Sequence, residues 1–225
     1  MKNAINALEK CVLTKNFSKE SIEDFLKNIN YTLSSYSKGE IIAMEEWNCS
    51  KIGIVIKGNV EVQKIFASGK TITISRLEES DIFGEVIIFS NRSTYPATIV
   101  SSNESIIMFI SKEDILNIFP LFPVFLNNFM TLLSDKILML NRKLKNISYE
   151  TIRQKIAFYI LEEYAQKKNL KIDLSYTRKE MAELLGIPRP SLSRELINMK
   201  KDNIIDFHRN HIVIKDLETL RNLLF

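Results

Sequence analysis

The chain has 225 residues, enough for one large or two small domains with a real core. Its 45% hydrophobic and 26% charged content belongs to a folded globular protein and excludes a disordered one. The net charge of +4 permits an anionic partner without demanding one, and two cysteines (Cys11, Cys49) with two histidines (His208, His211) are too few for a disulfide framework, a cysteine metal cage or most hydrolase mechanisms.

Uninterrupted apolar runs such as Ile106 to Ile110 fall far short of the roughly 18–20 residues that cross a bilayer, so no membrane span is expected. The first residues, MKNAINALEKCVL, show no secretory pattern, and the expected compartment is the cytoplasm. Residues 148–225 hold 14 Lys+Arg against 11 Asp+Glu, and residues 1–147 hold 17 against 16. Most of the positive excess therefore sits in the last third.

Residues 1–30 read as helix, with Ile5, Leu8 and Val12, then Ile22, Phe25, Leu26 and Ile29, at three-and-four spacing; Ser18 can cap the second stretch. From 31 to 110 the pattern changes. Ile52–Lys57, Val60–Phe66, Thr71–Arg76, Ala97–Val100 and Ser105–Ile110 are short β-rich segments, punctuated by Gly58-Asn59 and Ser68-Gly69, as in an antiparallel sandwich or barrel.

Ser111 to Asp114 forms a capping box with Asp in place of Glu or Gln. After Pro120 and Pro123, a helix of roughly 24 residues is expected to about Asn146. Phe122, Leu126, Phe129, Leu133, Ile137, Leu140 and Leu144 recur along it, and Asn127, Asn128, Lys136 and Asn141 leave one narrow apolar face. That face suits a two-stranded dimer seam, or a helix lying on the barrel.

The last unit begins with a helix capped at Ser148 and running to about Lys168, then a strand at Lys171–Leu174. Thr177 to Glu180 is a full capping box that opens a helix ending at Gly186. The turn Gly186-Ile187-Pro188 leads to a second helix from about Arg189 to Lys200, where Pro190 is tolerated in the first turn. This is a helix-turn-helix whose second helix suits a major groove. Arg189, Ser191, Ser193 and Arg194 face outward, with Lys200 and Lys201 at its end. Two arginines suit bidentate bonds to guanine, and hydroxyls suit phosphates or base edges. Ile204–Ile214 reads as a two-stranded wing around Arg209-Asn210, with His208, Arg209 and His211 placed to touch phosphate.

The order of these parts resembles the Crp/Fnr family of bacterial transcription regulators over nearly the whole chain. IVIKGNVEVQ…GKTITISRLEESDIFGEVIIF is similar to the family's cyclic-nucleotide-binding-like jelly roll, and TRKEMAELLGIPRPSLSREL to its winged helix-turn-helix. The fold class implied is α+β: a jelly-roll sensor with flanking helices at 1–120, a dimerisation helix at 121–147 and a winged helix-turn-helix at 148–225. The resemblance further implies a homodimer on double-stranded DNA, a palindromic site with half-sites about one helical turn apart, RNA polymerase as a partner, and control by an effector.

By the same resemblance, Arg189 and Arg194 stand at the family's base-reading arginines, Ser193 at a small or hydroxylated position, and Arg178 and Lys179 at phosphate contacts. Pro190 replaces a frequent Glu, so the half-site is expected to differ from that of the cyclic-AMP receptor. In the sensor, Glu85 matches the ribose-binding Glu. Tyr95 and Pro96 stand where cyclic-AMP sensors carry Arg and Ser, and Arg92 lies three residues early. Met139, Leu140 and Asn141 fall where the central helix lines the family's pocket. An effector other than cyclic AMP is expected, because the phosphate lacks its cation. Two cysteines cannot hold the iron–sulfur cluster of redox-sensing relatives. A haem version would need an axial ligand other than His, since residues 1–147 have none.

Two other classes compete. A cupin-type enzyme needs barrel histidines that this chain lacks, so no enzymatic activity is expected. A nucleotide-binding regulatory subunit with a protein-binding C-terminal unit would not need the basic helix-turn-helix and wing.

Overall fold

The computed structural model describes residues 2–174, 176–208 and 211–225, without the side chains of 2, 143, 146 and 147. The chain separates into two compact units, 1–136 and 137–225.

The first unit opens with α1 (Lys2–Lys10), a 3-10 turn at Val12–Thr14 and α2 (Lys19–Asn28). Ser18 caps α2 by accepting from the Ser21 amide. Eight strands follow: β1 (Thr32–Tyr36), β2 (Ile41–Ala43), β3 (Lys51–Lys57), β4 (Val60–Ile65), β5 (Thr71–Leu77), β6 (Ile82–Phe83), β7 (Thr98–Ser101) and β8 (Ser105–Ser111). They form two four-stranded antiparallel sheets, ordered β1-β8-β3-β6 and β2-β7-β4-β5, as a jelly roll requires.

The β3 residues Ile52 to Ile56 are all buried, because this strand faces the barrel on one side and α1 on the other. Gly53 is needed there: a Cβ would stand 2.1 Å from the Phe83 ring. Sequence patterning found five of the eight strands. β1, β2 and β6 escaped it, being polar or only two or three residues long.

Helices α3 (Lys112–Ile118) and α4 (Pro123–Ser148) follow, α3 capped by Ser111 with Asp114 as expected. The expected single apolar face of α4 is not what the helix shows. In its first half Phe125 and Phe129 are fully buried, against Phe25, Phe89 and Phe119. Asn128, expected as a polar interruption, is buried too, and donates to the carbonyls of Leu13 (3.1 Å) and Lys15 (2.7 Å). In the second half Ile137, Leu138, Met139, Leu140 and Leu144 are exposed. The helix thus anchors in the first core at one end and presents bare apolar side chains at the other.

In the second unit α5 (Ile152–Lys167) starts three residues later than expected. Ser148 instead ends α4, its hydroxyl donating to the Lys145 carbonyl, while Thr151 and Gln154 form the complete capping box. A three-stranded sheet, ordered β10-β11-β9, joins β9 (Lys171–Asp173), β10 (Ile205–His208) and β11 (His211–Ile214). Helices α6 (Arg178–Leu185), α7 (Arg189–Lys201) and α8 (Leu217–Asn222) complete the unit. Ile156, Ile160, Ile172, Leu192, Leu196, Met199 and Ile212 share its core.

Candidate functional site

The α6–α7 pair is built by local chemistry. Thr177 accepts from the Glu180 amide, and Glu180 reaches back to the Thr177 amide. Gly186 ends α6 in the left-handed region at φ 63, a conformation that glycine adopts without strain. The Ile187 amide then reaches the Ala182 carbonyl at 3.0 Å and closes the turn. Pro190 occupies the second position of α7, where no intrahelical partner for its missing N–H is lost. Leu192, Leu196 and Met199, spaced four and three apart, fix the inward face of α7.

The rotation of α7 is set again from α5. Arg153 donates to Glu195 (2.5 Å) in the middle of α7 and to Asp202 (2.7 Å) at its C-cap. Both pairs keep the Arg153 guanidinium above its ordinary range, the Glu195 bond first. Sequence periodicity gave no sign of this brace, because its members lie 42 and 49 positions apart.

Arg189 and Arg194 are exposed and, among the described residues, make no ion pair or hydrogen bond. Ser191 and Ser193 are half-buried between them. Pro188 offers α7 no side-chain cap, so the first-turn amides lack that partner. Lys179 is exposed, with only a loose contact to Glu183 at 3.9 Å. Arg178 is half-buried, its guanidinium carbon 5.1 Å from the centroid of the Phe207 ring, and burial draws it below the usual arginine range. Lys200 is likewise engaged, bound to Asp206 at 2.5 Å, whereas Lys201 is exposed. The wing is present as β10 and β11, with the His208 and His211 rings 4.9 Å apart across it. Arg209 and Asn210 lie outside the described residues.

Of the five effector-pocket candidates, Glu85, Arg92 and Tyr95 belong to the first unit. Glu85, buried to 4% exposure, is bound by Lys136 of α4. Arg92 turns outward to Glu46 at 3.0 Å. Tyr95 is buried, and burial raises its phenol well above the usual range. Leu140 and Asn141 belong to the second unit and are exposed. Cys11 is also buried, and desolvation pushes its thiol up to about 11, so neither cysteine is an activated thiolate. Among the described residues no three His, Cys, Asp or Glu side chains gather as a metal site, and no helix is long and apolar enough to cross a membrane.

An eight-stranded jelly roll followed by a long helix and a winged helix-turn-helix defines a transcription regulator with a sensor-type N-terminal domain. Residues 33–120 match the cyclic nucleotide-binding domain, and residues 154–223 the Crp-like helix-turn-helix domain. A protein of Porphyra purpurea described as the HTH-type transcriptional regulator ycf28 is 30% identical over 178 residues, 74% of this chain and 72% of that one. The chain belongs to the Crp/Fnr family of transcription regulators. The global nitrogen regulator of Synechococcus elongatus is 21% identical over 81% of this chain and 85% of its own. The same fold is found in the Thermus thermophilus catabolite activator protein, with a TM-score of 0.54 and 20% identity over 95% of this chain and 98% of that structure.

Proposed function

We propose that this regulator binds double-stranded DNA as a homodimer, on a palindromic site with half-sites about one helical turn apart. Residues 148–225 bind the DNA, residues 121–147 join the two copies, and residues 1–120 receive the signal. Arg189 and Arg194 read guanine edges, Ser191 and Ser193 contact bases or phosphates beside them, and Arg178 and Lys179 hold the backbone. The observation that carries this reading is the contrast among the arginines. Arg92, Arg142 and Arg153 are spent on carboxylates, whereas Arg189 and Arg194 stand exposed and unpaired on a helix whose opposite face is locked.

The exposed apolar side chains of α4 from Ile137 to Leu144 support the dimer, since a second copy would cover them. The effector is not cyclic AMP: Lys136 already neutralises the carboxylate that would meet a ribose, and Arg92 is held by Glu46. Such a protein acts at promoters beside RNA polymerase, in the cytoplasm.

Selection from a random duplex pool tests the reading. A palindrome with half-sites one turn apart should be enriched by the purified protein, with cell extract supplying the effector. Failure to enrich any palindrome, with or without extract, would favour a regulatory subunit that binds protein instead.

A further inference from the structure

Two cations share one aromatic ring in the wing. The Arg178 guanidinium carbon lies 5.1 Å from the Phe207 centroid, and the Lys200 ammonium lies 5.6 Å from it. The two are not equivalent. Lys200 is bound by Asp206 at 2.5 Å, the residue preceding Phe207. Arg178 has no carboxylate among the described residues; its one hydrogen-bonding contact is a weak one to the Met181 sulfur at 3.9 Å.

An arginine held by a carboxylate spends the N–H groups that a phosphate would need. A ring engages the face of the guanidinium and leaves the N–H groups at its edge free. Arg178 is also the first residue of α6, where the helix dipole adds positive potential.

We propose that Phe207 is a positioning residue for DNA binding: it holds the Arg178 guanidinium by its face, with its donors free of any carboxylate, for one phosphate of the DNA backbone. The wing therefore acts through α6 as well as through its own tip. Asp206 completes the arrangement by taking Lys200, which leaves the other cation on the ring to the DNA. The proposal rests on the reading of Arg178 as a phosphate contact.

The test measures binding of the full-length protein to a mixed-sequence DNA duplex over a range of salt, with circular dichroism as the check of folding. Phe207→Leu should weaken binding about 3- to 10-fold. Phe207→Tyr, which keeps the ring, should stay within about twofold of the parent protein. Arg178→Ala should flatten the log–log salt slope by about 1, the loss of one phosphate contact. In the Arg178→Ala background, Phe207→Leu should have no further effect. Equal losses from Phe207→Leu in both backgrounds, or a Leu variant as good as Tyr, would show that Phe207 merely packs the wing and would overturn the proposal. An unchanged slope in Arg178→Ala would overturn the underlying contact itself, a result distinct from additivity.

Discussion

Lys136 donates to the carboxylate of Glu85, joining a residue of α4 to the turn after β6 through a side chain only 5% exposed. Within the first unit, the chain supplies its own cation to the carboxylate that family resemblance assigns to a ribose. Lys136→Gln leaves that carboxylate buried without its partner. It should destabilise the protein by about 1–3 kcal/mol, less than for a fully enclosed pair because Lys136 is 38% exposed. Glu85→Gln with Lys136→Met should recover most of the loss in chemical denaturation. Calorimetric titration of the unmodified protein with cyclic AMP should register no binding.

Arg189→Ala and Arg194→Ala should each remove about 1–3 kcal/mol of discrimination at one base pair of each half-site. Competition with singly substituted duplexes measures this. Two variants that rank every duplex as the parent does would mean that α7 docks in another orientation. Lys201→Ala should weaken all duplexes alike and flatten the salt dependence. Lys200→Ala should do so less, because Asp206 already holds that ammonium.

Leu140→Glu and Leu144→Glu introduce charge where α4 is exposed by 54% and 65%. In a single copy these sites tolerate a carboxylate; in a two-stranded seam they oppose like charges in an apolar setting. Analytical ultracentrifugation should show a dimer for the parent and monomers for the variants. A parent that sediments as a monomer at working concentration would refute the seam.

Acid should destabilise the helix-turn-helix and wing. The Glu180 carboxyl is held below the usual carboxylate range by its bonds to Thr177, and Asp206 by Lys200. Each native carboxylate binds its proton later than the unfolded one, so its contribution is complete above the unfolded value and fades as pH falls through the native one. Thermal melts should be flat near neutrality and decline below about pH 4.5. Glu180→Gln should shrink that acid decline with little change at pH 7.

Thr151→Ala should lower stability by about 1 kcal/mol, since it removes half of a capping box. Ser148→Ala should stay within about 0.5 kcal/mol. The reverse order, read by urea denaturation, would restore the earlier helix start.

What could be read from residue order follows the range of the interactions. The α6 cap, the Gly186 turn and the inward Leu192–Leu196 pair depend on neighbours within five positions, and their pattern was visible. So were strands that alternate or carry β-branched runs, such as β4 and β8. Long-range partners left no trace: Asn128 reads as solvated until its carbonyl partners at Leu13 and Lys15 are seen. Lys136 reads as a polar break until its buried partner Glu85 is seen. The start of α5 failed for a different reason. Ser148 and Thr151 are both good caps, and only Thr151 has a residue three positions on that can complete the box. Arg178 was placed rightly on α6, but its aromatic seat lies 29 positions away in the wing.

Trp47 is the single tryptophan of the chain and is 53% exposed. Its carbonyl accepts the Tyr95 amide at 2.9 Å, and its neighbour Glu46 grips Arg92. Indole emission is sensitive to such surroundings, and here no second indole dilutes it. Any metabolite that pulled Arg92 away would therefore shift the fluorescence of an unlabelled sample, which turns the search for the missing signal into a plate-reader assay.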